Sequence, residues 1–76
     1  MYEYERIQQL ISDCYEPYKV KMTAPEREIC EENLYIHNEY EEALTNFLAI
    51  LKKHHIVLTL KNVSKINEVK RLIGLD

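Results

Sequence analysis

Residues 24–54 constrain this chain more than any other stretch: thirty-one residues with no glycine, and with a single proline placed in the first turn. Thr23-Ala24-Pro25-Glu26 opens the segment as a capping box, in which the threonine side chain accepts from a free amide while the glutamate reaches back to the cap. Pro25 costs nothing there, because the first helical amides have no intrahelical partner. Behind it Ile29, Ile36, Tyr40, Ala43, Leu44, Phe47, Ile50 and Leu51 recur at helical spacing, and glutamates fill the opposite face. The pattern predicts one long helix over 24–54.

That helix would be about 46 Å long at 1.5 Å per residue. A folded chain of this length should have a radius of gyration near 11–12 Å, hence a diameter of roughly 30 Å. A continuous helix must therefore project and cover its apolar stripe with a second copy, giving a homodimer or a structural self-assembling helical module. The alternative is a break near His37–Asn38, where Asn38 followed by Glu41 forms a second capping box.

The remaining elements are shorter. Tyr4, Ile7, Leu10, Ile11 and Cys14 mark a helix from about 2 to 15, stopped by Pro17. Tyr18, Val20 and Met22 alternate with Lys19 and Lys21, a pattern suited to a short extended segment over 18–22. Ile56-Val57-Leu58-Thr59-Leu60 suits another over 56–60, after an interruption near residue 55. Ser64 is placed to cap a last helix over 65–73, with Ile66, Val69, Leu72 and Ile73 apolar and Gly74 closing it. The expected fold class is mainly α. It is a small helical bundle or hairpin in one domain over 1–76, built around one long central helix. The N-terminal helix lies antiparallel to that helix, and the last helix closes the core.

One glycine and two prolines leave no material for a phosphate-cradling loop or for tight hairpins. Cys14 and Cys30 are too few for a disulfide scaffold. With His37, His54 and His55 they offer no metal-ligand spacing, and both cysteines fall on apolar positions as small hydrophobes. No catalytic, cofactor or metal site is expected, so the chain reads as a non-enzyme. The N-terminal Met-Tyr-Glu-Tyr-Glu lacks the basic-then-apolar order of a signal peptide, and no apolar run suits a membrane span. A cytoplasmic location is the expectation.

Charge is polarised. Residues 1–42 hold eleven acids and four bases, whereas residues 43–76 hold six bases and two acids. Net acidity of −3 makes nonspecific nucleic-acid binding unfavourable. On a helical wheel Tyr35 lies about 140° from Tyr40, and Leu34 about 120° away on the other edge. Both sit among Glu28, Glu31, Glu32 and Glu39. An aromatic anchor amid charge has the character of a binding hot spot. Leu34, Tyr35, Glu31, Glu32 and Glu39 are therefore the expected partner-binding residues, and a basic partner with an apolar pocket is their complement. Tyr2, Tyr4, Tyr15 and Tyr18 form a second tyrosine-rich region. The expected function is that of a small regulatory protein, an inhibitor or adaptor acting by protein binding.

A competing pattern lies in residues 62–72, which resemble the turn and second helix of a helix-turn-helix, with Asn62 where glycine is usual. On that reading the chain is a compact DNA-binding regulator using residues 62–73, and Lys65, Lys70 and Arg71 meet the nucleic acid.

Overall fold

Thr23 caps a helix as the sequence predicts, yet the helix that it starts is short. The computed structural model describes residues 3–74. Four α-helices follow one another: α1 (Glu3–Tyr15), α2 (Ala24–Glu31), α3 (Tyr40–Lys53) and α4 (Leu60–Ile73). A 3₁₀ turn (Lys19–Lys21) joins α1 to α2, and a π-helical turn (Glu32–Ile36) extends α2. The described residues contain no strand, and the expected helix start at Tyr2 lies outside them.

The long central helix is therefore corrected to two helices. Its break falls at Asn38, which adopts a left-handed conformation with φ 53°. Asparagine tolerates this conformation better than most residues. The His37 amide donates to the Glu32 carbonyl five residues back, and the Glu39 amide to the Asn33 carbonyl six residues back. The first is the π turn's own bond, and the second takes the Asn33 carbonyl as the chain leaves the turn. The Leu34 carbonyl is taken by Gln8 Nε2 of α1 at 2.9 Å.

The interruption expected near residue 55 is present. His55 is left-handed (φ 57°), and the Ile56 amide donates to Leu51 O at 2.9 Å. Neither extended segment forms a strand. Residues 19–21 of the first are 3₁₀, and the second is an unpaired connector that ends where α4 begins. The cap of α4 is Thr59 rather than Ser64. Thr59 has extended backbone and accepts from the Asn62 amide at 3.3 Å, so residues 60–64 are helical. Gly74 closes α4 in the left-handed conformation at φ 81°, as expected.

With both breaks the radius of gyration is 11.5 Å and the longest extent 31 Å, the size expected of a folded chain of this length, and the α3 part of the stripe is buried within the chain. Helix α1 packs chiefly against α4, and α2 with its π turn packs against α3. The core joins Ile7, Ile11, Cys14 and Tyr15 of α1 to Leu44, Phe47 and Leu51 of α3 and to Ile66 and Val69 of α4. Phe47 sits at its centre, with ring centroids 6.2 Å from Tyr15 and 6.3 Å from Tyr18, within the range of favourable edge contacts. The Tyr18 hydroxyl accepts from the buried Asn62 side chain at 3.1 Å and from the Thr59 amide at 3.4 Å.

Candidate protein-binding surface

The α2–π segment is held by polar contacts at both ends. At its start Glu26 completes the capping box, accepting from the Thr23 amide at 2.9 Å. The same carboxylate receives Lys53 Nζ at 3.1 Å and lies 2.8 Å from His54 Nε2, tying the first turn of α2 to the end of α3. Glu26 is 7% exposed, and its pKa is lowered to about 2, first by the Thr23 amide and then by the His54 and Lys53 hydrogen bonds. At the far end Asn46 of α3 donates to Asn33 Oδ1 at 2.9 Å, and Asn33 donates to Glu39 at 3.3 Å.

Between these anchors the buried line is Glu26, Cys30, Leu34, at the four-residue spacing of one helix face. Leu34 is 1% exposed and belongs to the core, so its expected place on the partner surface is corrected. The opposite correction applies to Ile29 and Ile36, which were expected in the core stripe and are 48% and 67% exposed. The stripe read across 24–54 takes its phase from α3, whereas α2 is rotated relative to α3 by the π turn and by Asn38. A buried polar residue, Glu26, sits on the true α2 line and hides it from a hydrophobicity pattern. The capping box expected at Asn38–Glu41 does not form, because Glu39 is the N-cap of α3 and makes no side-chain cap bond, while Asn38 supplies the left-handed residue of the break.

Tyr35 is 43% exposed, as its wheel position predicts, while its hydroxyl shares a 2.7 Å hydrogen bond with Ser12 of α1. Glu31 accepts from the buried Tyr15 hydroxyl at 2.5 Å, and burial is the main cause that raises the Tyr15 pKa. Glu32 is half-buried in the π turn and Glu39 is exposed. Among the described residues none of Glu28, Glu31, Glu32 or Glu39 pairs with a cation. Arg27, the nearest base in sequence, is spent on the Met22 carbonyl at 2.6 Å, where it caps the 3₁₀ turn.

An open groove of about 250 Å³ runs beside Ile29, lined by Glu26, Asn46, Ala49, Ile50 and Lys53. Asn46 also borders a wider depression at the start of α3, lined by Glu39, Tyr40, Glu41, Glu42 and Thr45. There the Glu42 pKa is raised by a hydrogen bond with Glu39 and by that neighbour's charge. The face thus offers apolar contact at one end and crowded carboxylates at the other.

The other residues singled out in the sequence lie elsewhere. Both cysteines are buried and free, and burial pushes the Cys30 thiol up to about 11. No cluster of metal-ligating side chains occurs among the described residues, and none of their helices is long and apolar enough to cross a membrane. Lys65, Lys70 and Arg71 all lie on α4. The turn of the helix-turn-helix pattern is absent, because residues 62–64 continue that helix. Arg71 is exposed and 3.6 Å from Glu68, which also pairs with Arg6 of α1 at 2.6 Å. The chain matches no protein-family model, no curated protein and no solved structure.

Proposed function

We propose that this protein is a small non-enzymatic regulator, an inhibitor or adaptor, that works by binding a larger protein through the α2–π face. The observation that carries this reading is the exposure of Ile29, Tyr35 and Ile36 along one short segment, beside glutamates that pair with no cation among the described residues. Exposed apolar side chains singly are ordinary; three along one short segment, among carboxylates of one sign, suit a specific interface. Its partner presents a basic segment with an apolar side chain that seats against Ile29 and Ile36.

Affinity capture with quantitative mass spectrometry tests this reading by comparing the unaltered chain with Ile29→Ala and Ile36→Ala. Both positions are exposed enough for the fold to survive the change. A partner protein enriched by the unaltered chain should be lost from both variants, since truncating an interface anchor costs about 2 kcal/mol or more. Identical captured sets from all three chains would refute it.

A further inference from the structure

The two most exposed large apolar side chains of the described residues, Leu60 and Val57, lie away from the α2–π face, and Val63 of α4 is exposed as well. Leu60 is 89% exposed, Val57 86% and Val63 38%. Helix α4 turns Asn62, Ile66 and Val69 into the protein, and the 100° step then sets Leu60 near the middle of its solvent face. Val63 and Asn67 continue that face at helical spacing, and Lys70 and Arg71 end it. Leu60 and Arg71 are eleven residues apart, about 16 Å along the axis.

The charge on this face is one-sided. Lys61 and Lys70 make no ion pair among the described residues, and Glu68, the acid of the helix, is already held by Arg6. The first turn of α4 contains no acidic side chain, so the positive end of the helix dipole stands beside Leu60 without a compensating carboxylate. Lys65, half-buried near Cys14, lies off this face.

We propose that the solvent face of α4, with Val57, is a second docking surface whose occupant is an acidic amphipathic helix of a partner protein. The partner's apolar side chains pack on Val57, Leu60 and Val63, and its carboxylates lie along Lys70 and Arg71. Apolar exposure at one end excludes a purely electrostatic ligand as the natural fit, and Lys61 and Lys70, which pair with no acid among the described residues, together with Arg71, which shares Glu68 with Arg6, set the sign of the partner's charge. This surface is separate from the α2–π face, and a chain carrying both can bridge a basic partner to an acidic one.

The test uses the full chain labelled with ¹⁵N and observed by NMR. The probes are a synthetic helical peptide bearing leucines followed by glutamates about eleven positions on, its counterpart with lysine for glutamate, a short DNA duplex and phosphatidylserine vesicles. The leucine–glutamate peptide should shift the amides of Val57, Leu60, Val63, Asn67, Lys70 and Arg71. Leu60→Ser should weaken that binding about tenfold, and Arg71→Gln should reduce its salt dependence. Three outcomes overturn the proposal: no shifts at about 1 mM peptide, equal binding of the lysine peptide, or tighter binding of DNA or vesicles at this face. None of these touches the capture experiment on Ile29 and Ile36, so the two readings fail separately.

Discussion

Replacing Leu34 and Ile36 by alanine, one at a time, tests the register on which the α2–π face depends. The two residues sit two positions apart, and an unbroken helix with the α3 phase would bury Ile36 and expose Leu34. The structure has the reverse, 1% exposure for Leu34 and 67% for Ile36. Leu34→Ala removes side-chain carbons from a site closed by α1 and α3, losing their transfer free energy and leaving a cavity. Comparable leucine truncations cost about 2–5 kcal/mol, and nearly complete burial places this one near 3 kcal/mol. For a chain of this size the melting temperature should fall by roughly 12–24 °C, at about 4–8 °C per kcal/mol. Total stability on a per-residue scale is only about 4–11 kcal/mol, so the variant loses a large part of it. Ile36→Ala should stay within about 0.5 kcal/mol of the parent. Urea titration followed by far-UV circular dichroism measures both, with an unchanged slope showing that stability alone has moved. An Ile36→Ala cost exceeding that of Leu34→Ala would refute the π turn and the left-handed break that follows it.

Two further expectations concern the anchors of α2 and α3. Glu26 titrates at about 2 in the folded chain, below the ordinary glutamate value of roughly 4.3. Its stabilisation is therefore complete above the ordinary value and lost as pH falls toward 2, because the unfolded chain binds the proton first. Glu26→Gln should flatten the acid limb of a stability–pH curve measured by urea titration, and an unchanged limb would count against the Lys53–His54 clasp. His55 holds φ 57°, a conformation that suits glycine better than a residue with a side chain. His55→Gly should raise stability by about 0.5–1 kcal/mol, read as a shifted urea midpoint. A loss would mean that the imidazole contributes more than the backbone strain costs.

Local chemistry made much of the secondary structure legible. The Thr23–Glu26 box needs four residues and no tertiary partner, so it could be read from the sequence, and the same holds for Pro17 after α1 and Gly74 after α4. The α3 core positions Ala43, Leu44, Phe47, Ile50 and Leu51 followed from periodicity, because every one of them is apolar. Where a buried position is polar, periodicity has no signal. Glu26 is acceptable inside because the Thr23 amide, three residues away, is joined by Lys53 and His54 from twenty-seven and twenty-eight residues away. The phase of α2 runs through this polar position, so the burial of Leu34 and the exposure of Ile29 and Ile36 could not be read from apolar periodicity. The break at Asn38 is likewise a tertiary decision. Both a continuous and a kinked helix satisfy the local hydrogen bonds, and the kink is what lets α2 fold back on α3 and bring Cys30 and Leu34 into the core. Thr59 and Ser64 are equally able to cap a helix, and the sequence offers both. Thr59 is selected because its amide meets the Tyr18 hydroxyl and because starting there carries Asn62 inward to the same oxygen. The surface of α4, with Leu60 on its outer face, is set by that choice.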